Sequence, residues 1–153
     1  MLGGNSPGSS DLLVLPNLRA PNYSLLLSQT VCYHCGGGTP TVALWVPSFE
    51  EIDEVDGEVT GCDEPALLKS IEALDARAQG TLQVHASWFR LAGSHTAGFA
   101  YWANHCQMCG ALQGDHYLFG VNGPYGPQNE EQLMALKRVD GMGRLEAVAV
   151  AVR

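Results

Sequence analysis

The sequence predicts an α+β domain in which two β-hairpins face each other, a helix-bearing insert packs beside them, and a C-terminal helix–strand unit completes the sheet. Three observations carry this prediction. Two C-x-x-C-G motifs, "CYHCG" at 32–36 and "CQMCG" at 106–110, each sit between apolar, β-prone runs. Between the motifs, "DEPALLKSIEALDARAQG" (63–80) places apolar residues at helical spacing. Beyond them, "NEEQLMALKRV" (129–139) has a helical pattern and "RLEAVAVAVR" (144–153) alternates like a strand.

Taken in order, residues 1–20 read as a flexible N-terminal tail, because Gly, Ser and Pro crowd their first half. Residues 21–153 read as one metal-binding domain, in keeping with a chain of 153 residues. "YSLLLSQTV" (23–31) and "TPTVALWVPSF" (39–49) form the first hairpin, with the first cysteine pair at its tip. The insert, 50–80, begins with an acidic stretch. Glu50, Glu51, Asp53, Glu54, Asp56, Glu58, Asp63 and Glu64 carry half of the chain's 16 acids with no base among them. Like charges at that density stay solvated, as an exposed loop or frayed edge strand. Pro65 suits a first helical position and Gly80 an exit, with Leu67, Ile71, Leu74 and Ala78 as the buried stripe. "TLQVHASWFRLA" (81–92), "GFAYWAN" (98–104) and "DHYLFGV" (115–121) read as strands, the last two flanking the second cysteine pair. In the closing helix Asn129 and Gln132 suit a capping pair. In the closing strand valines line one face and alanines the other, so both faces suit burial. Trp45, Trp88 and Trp102 fall within predicted strands and read as core.

Composition narrows the function. The net charge is −8, and Lys69 and Lys137 are the chain's lysines. A nucleic-acid binder needs concentrated basic side chains to neutralise phosphates, and none is visible. No run approaches the ~18 apolar residues of a membrane span. The N-terminal stretch lacks the basic and apolar regions of a secretory signal. Five cysteines without such a signal favour a reducing compartment and metal-ligand use over disulfides, which places the protein in the cytoplasm.

The cysteine spacing is the strongest chemical signal. A C-x-x-C turn that aims two sulfurs at one ion needs a positive φ just beyond it, which glycine supplies. The same turn directs backbone N–H groups at the first sulfur and stabilises thiolate charge. Zn²⁺ takes four thiolates tetrahedrally and leaves no open position. The 70 residues between Cys35 and Cys106 do not prevent a shared site. Stretching a closed loop from 15 to 70 residues costs only about 1.4 kcal/mol, against roughly 10–16 kcal/mol for structural zinc. Cys32, Cys35, Cys106 and Cys109 are therefore the candidate ligands of one structural Zn²⁺. Iron in the same cage, two separate dithiol switches, and substitution of one cysteine by His34 or His105 remain as alternatives. Cys62 reads as an incidental thiol, blunted by neighbouring carboxylates.

"CYHCGGGTP" and "CQMCGALQGD" resemble the paired zinc knuckles of zinc-ribbon proteins, with a large insert between them. The wider stretch "YWANHCQMCGALQGDHYL" is similar to bacterial domains of unknown function that carry such knuckles. The resemblance covers the knuckles and not the rest of the chain. It implies a split zinc ribbon as the fold, with the four named cysteines as ligands. Ribbons that bind nucleic acid carry basic residues beside the knuckles, whereas here Tyr33, His34, Gln107 and Met108 occupy those positions.

Patterns for catalysis are sparse. No phosphate-binding glycine loop and no H-x-E with P-C-x-x-C occurs. The leading expectation is a non-enzymatic protein-interaction or regulatory module that meets an unidentified protein partner through Glu50, Glu51, Asp53, Glu54, Asp56 and Glu58. Two other readings stand beside it: a nucleic-acid-binding ribbon, and an enzyme built on the polar residues of 85–96, His85, Ser94 and His95 among them.

Overall fold

Short β-prone runs separated by glycine-rich turns dominate this chain, and they pair in space. The structure, a computed structural model, describes residues 15–94, 99–120, 123–126 and 130–152. The tail expected over 1–14 lies outside them. Among the described residues eleven strands join in one sheet: β1 (Leu18–Ala20), β2 (Ser24–Val31), β3 (Gly38–Val46), β4 (Phe49–Ile52), β5 (Val59–Cys62), β6 (Ala66–Leu74), β7 (Phe89–Ser94), β8 (Phe99–His105), β9 (Leu112–Gln113), β10 (Lys137–Asp140) and β11 (Leu145–Val152). The helices are short: α1 (Ala76–His85), α2 (Asp115–Leu118) and α3 (Glu130–Met134). The main path runs β10-β2-β3-β6-β11-β1-β4-β5, with β8 joined to β6 and flanked by β7 and β9. Its pairings are antiparallel.

This architecture corrects the expected fold. With 49% strand and 14% helix among the described residues, the protein forms a mostly antiparallel sheet curled into a half-barrel, not a small split zinc ribbon with a helical insert and a helix–strand tail. The physical reason is clearest at 63–80. Leu67, Ile71 and Leu74 do have helical spacing, but they lie in β6, a central strand covered on both faces. Such a strand buries successive residues, and Ala66, Leu67 and Leu68 are all buried. Helical and buried-strand patterns are then indistinguishable over a short run. The helix starts later, at Asp75. One Asp75 carboxylate oxygen accepts from Ala78 N at 2.9 Å and the other from Glu146 N at 2.7 Å, so one side chain caps α1 and ties it to β11.

Other boundaries shift with it. The strand expected at 81–92 is divided between the end of α1 and β7, and the strand expected at 115–121 begins instead as α2, with residue 121 outside the described residues. The closing helix is shorter than 129–139 and gives way to β10. Asn129 of the expected capping pair lies outside the described residues. The first hairpin, β8 and β11 follow the expectation. On β11 Ala147 and Ala149 are buried while Val148 and Val152 are half-buried and Val150 exposed, so one of its faces is covered less than expected. Leu18 to Ala20, expected in the tail, form β1 between β11 and β4.

The sheet separates two apolar layers. On one face Leu25, Val42, Leu44 and Leu68 pack with Ala78 and Leu82 of α1 and with Ala86 just beyond it. On the other, Leu26, Ala43 and Leu67 pack with Leu118 of α2 and Tyr125. The Tyr125 hydroxyl seals this second layer by donating to Leu26 O at 2.9 Å.

One detail of β6 positions the second cysteine motif. β3 pairs with β6 over Ala66–Leu68, and β8 takes over at Ile71. Between them Ser70 has φ 52°, a left-handed conformation, and its N–H donates to an Asp115 carboxylate oxygen at 2.8 Å. Opposite, the β11 register shifts between Val148 and Val150. The bulge lets β3 and β8 diverge from one strand while staying close to each other.

Candidate metal centre

Each cysteine motif folds as a turn set by its own backbone. Cys32 N donates to Gly37 O and Gly36 N to Cys32 O, both at 2.9 Å. In the second motif Cys106 N donates to Ala111 O and Gly110 N to Cys106 O, again at 2.9 Å. Gly36 has φ 76° and Gly110 φ 78°. A Cβ at either position would meet open space, so the backbone angle and not crowding calls for glycine. The turns aim N–H groups at the first sulfur of each pair: His34 N lies 3.4 Å from Cys32 Sγ, and Met108 N lies 3.4 Å from Cys106 Sγ.

Tertiary contacts bring the two turns together. The first knuckle opens into β3, and β8 runs into the second. The buried Asn104 side chain bridges these strands as another strand would. Its Oδ1 accepts from Val42 N at 2.9 Å and its Nδ2 donates to Val42 O at 3.0 Å. Trp88 Nε1 also donates to Oδ1, at 3.0 Å. Nearer the centre, Gln107 N donates to Thr39 Oγ1 at 3.0 Å. Gly37 leaves room for Met108, whose Sδ would stand 2.9 Å from a Cβ there.

The result is a cluster of Cys32, Cys35, Cys106 and Cys109 whose sulfurs all lie within 4.8 Å of one another. Cys32 and Cys109 sulfurs are 3.6 Å apart, and Cys35 and Cys106 sulfurs 3.7 Å. A tetrahedron with metal–sulfur bonds of about 2.3 Å has edges of about 3.8 Å, whereas a disulfide would need about 2.05 Å. The spacing fits four thiolates around one cation. Four sulfur ligands fill the coordination shell, so the chemistry available is cross-linking of strands and not activation of water. The cluster can hold a metal; its geometry does not choose among metals that accept four thiolates.

Electrostatics follow the same turns. The Cys35 backbone N–H, assisted by His34 N–H, the Cys109 thiol and the Gln113 amide, lowers the Cys32 thiol to about 6 against the opposing effect of burial. The Cys109 and Met108 N–H groups lower Cys106 in the same way. For Cys109 the Ala111 N–H pulls downward, but burial and the sulfurs of Cys32, Cys106 and Cys35 push the thiol up to about 12. Charge therefore settles first on the two buried sulfurs, and the Cys109 proton awaits a compensating cation.

Sequence reasoning missed Gln113, Asn104 and Thr39. Gln113 is 1% exposed and its Nε2 sits 3.3 Å from Cys32 Sγ while donating to Ala111 O at 2.9 Å. Nothing in the local pattern marks these residues, because their partners lie in other strands. The histidine alternatives separate from the cluster. His34 is exposed beside Tyr33. His105 is buried with Nδ1 facing Ala103 O at 3.0 Å and Trp88 O at 3.3 Å, so that nitrogen carries the proton. Burial, with Arg90 nearby, holds its pKa below the usual histidine range.

The acidic candidates lie elsewhere, on the hairpin of β4 and β5 at one end of the sheet. Glu50 pairs with Arg19 at 2.7 Å. Asp53 accepts from Val55 N and Asp56 N, and Asp56 from Glu58 N, so these two shape the turn. Glu51, Glu54 and Glu58 are exposed. Cys62, half-buried on β5, has its sulfur 3.8 Å from a Glu51 carboxylate oxygen. Of the polar set at 85–96, His85 is exposed at the end of α1, Ser94 ends β7, and His95 lies outside the described residues. Among the described residues no helix is long and apolar enough to cross a membrane. No protein family, curated protein or solved structure matches the chain.

Proposed function

We propose that the chain from β1 onward forms a non-enzymatic metal-binding module of the cytoplasm, in which Cys32, Cys35, Cys106 and Cys109 hold one structural Zn²⁺. The metal pins the β2–β3 hairpin to the β8–β9 hairpin, and the half-barrel so fixed presents a surface to a protein partner. The observation that carries the reading is the pair of sulfur contacts across the knuckles, 3.6 and 3.7 Å, which match tetrahedral edges. Zinc is favoured over iron by the reading of the pair as a strand clamp, which needs no electron chemistry. The acidic β4–β5 hairpin is the proposed contact for a basic partner; Glu51, Glu54 and Glu58 are exposed there. Acids at that end also discourage edge-to-edge association of the sheet. A nucleic-acid role draws no support from a chain of net charge −8 whose knuckle tips carry Tyr33, His34, Gln107 and Met108.

Elemental analysis of the purified protein tests the metal. The expected result is one zinc per chain, falling to a small fraction in Cys106→Ser; iron, or no metal in a folded protein, overturns the reading. For the partner surface, replacing Glu51, Glu54 and Glu58 by Gln should abolish capture of a basic partner in moderate salt. Unchanged capture refutes the acidic contact.

A further inference from the structure

Zinc itself does not change oxidation state, but the sulfurs that hold it do. In this cluster they are not equivalent. Cys32 and Cys106 are buried, while Cys35 and Cys109 are exposed. Each knuckle thus offers one sulfur to solvent and hides the other. The close sulfur contacts run across the knuckles, pairing exposed Cys109 with buried Cys32 at 3.6 Å and exposed Cys35 with buried Cys106 at 3.7 Å. The buried partners are also the sulfurs toward which the turn N–H groups point, at 3.4 Å in both knuckles. Those N–H groups favour negative charge on the buried sulfurs, and a thiolate is the form that attacks an oxidised sulfur.

Resting on the zinc reading above, we infer that the centre is a redox-releasable clamp, in which a hydroperoxide oxidises exposed Cys35 and Cys109 and two cross-knuckle disulfides, Cys35–Cys106 and Cys32–Cys109, replace the metal. In the first step an exposed thiolate attacks a peroxide oxygen. The O–O bond breaks, hydroxide (or alkoxide, from an organic hydroperoxide) leaves and takes up a proton, and the cysteine becomes a sulfenic acid. In the second step the buried thiolate of the facing knuckle attacks that sulfur. An S–S bond forms, the S–O bond breaks, and the departing hydroxide takes up a proton from solvent to leave as water. Over both pairs, four thiolates give up four electrons to two hydroperoxide molecules. With hydrogen peroxide, four protons are consumed, four waters form and one Zn²⁺ is set free.

The pairing decides the consequence. Disulfides within a knuckle would leave the hairpins unconnected once the metal departed. Disulfides between knuckles keep them joined, and Asn104 and the Gln107–Thr39 contact continue to align their strands. Oxidation then releases zinc without dismantling the half-barrel, and a thiol reductant with added zinc restores the original centre.

The test uses the zinc-loaded protein carrying Cys62→Ser, so that the four cluster thiols alone are counted. Hydrogen peroxide is titrated while a zinc-sensitive dye reports release. The expected result is one zinc freed per two peroxides, with circular dichroism unchanged and full reversal by dithiothreitol and zinc. Trypsin cuts after Arg19, Lys69, Arg90 and Lys137, so unreduced digestion yields peptide 20–69 linked to peptide 91–137 if the pairs cross. Cleavage after Tyr33 and after Met108 then separates the two sulfurs of each knuckle and identifies the partners. Linkage within 32–35 and 106–109, zinc retained through excess peroxide, or sulfinic acid in place of disulfide overturns the inference. Protein that never takes up zinc refutes the metal reading instead, and the disulfide map of that metal-free protein still decides the pairing.

Discussion

Replacement of Asn104 by alanine separates the two forces that hold the knuckles together. The side chain is 1% exposed and makes three hydrogen bonds, two to the backbone of Val42 and one from Trp88 Nε1. Val42 is itself 1% exposed, so water cannot replace the lost partner at its N–H and C=O. A buried polar group left unpaired costs about 1–3 kcal/mol. Two such groups, with the half-buried Trp88 N–H counted as minor, give a loss of about 2–6 kcal/mol. That is a large share of the roughly 5–15 kcal/mol that stabilises an ordinary domain. The same substitution lets β8 drift from β3, so the sulfurs are no longer held in place before the metal arrives. Residues that orient ligands from behind in this way are worth about 10–100-fold in metal affinity. Urea denaturation of the metal-free protein measures the first effect, and competition with a chelator of known affinity measures the second. A stability loss below about 1 kcal/mol together with unchanged zinc affinity would refute the bridging role of Asn104 and leave the metal as the main link between the strands.

The remaining predictions concern the turns, the bulge and the acid response. Gly110→Ala should destabilise by about 1–2 kcal/mol in thermal melts, because φ is 78° and no contact opposes the methyl group. Ser70→Val should cost a similar amount, whereas Ser70→Gly should be neutral or stabilising, since φ is 52° there; equal melting temperatures for the two variants would show that the bulge does not depend on that angle. Zinc affinity should fall about tenfold per pH unit for each proton displaced on binding. Cys109, pushed up to about 12, still carries its proton at neutral pH and must release it, so the decline is present throughout the neutral range. Below about 6 Cys32 also becomes protonated and the slope should steepen; chelator competition across pH 5–8 that shows a flat profile would contradict the thiolate assignment.

How much of this was legible beforehand depends on the range of the interactions involved. The four cysteines and the glycines behind them were readable because a knuckle is built within five residues, and its requirements for paired sulfurs and a positive φ leave a local mark. The β2–β3 hairpin was readable for the same reason. β6 was not: a strand covered on both faces places apolar side chains wherever a helix might, and only its neighbours β3, β8 and β11 decide the matter. Likewise Asp115 opens α2 where an apolar, aromatic run suggested a strand, because Leu118 is needed against Leu26 and Leu67 on the outer face of the sheet.

The sequence by itself determined which atoms can bind a metal, since thiolates at C-x-x-C spacing followed by glycine carry their geometry with them. Only the tertiary structure decided that the two pairs meet, because that meeting depends on an amide in β8 bonding to the backbone of β3 and on a bulge in β6. Those contacts join residues distant along the chain, and hydrogen bonds of that kind leave no periodic trace in the order of the amino acids.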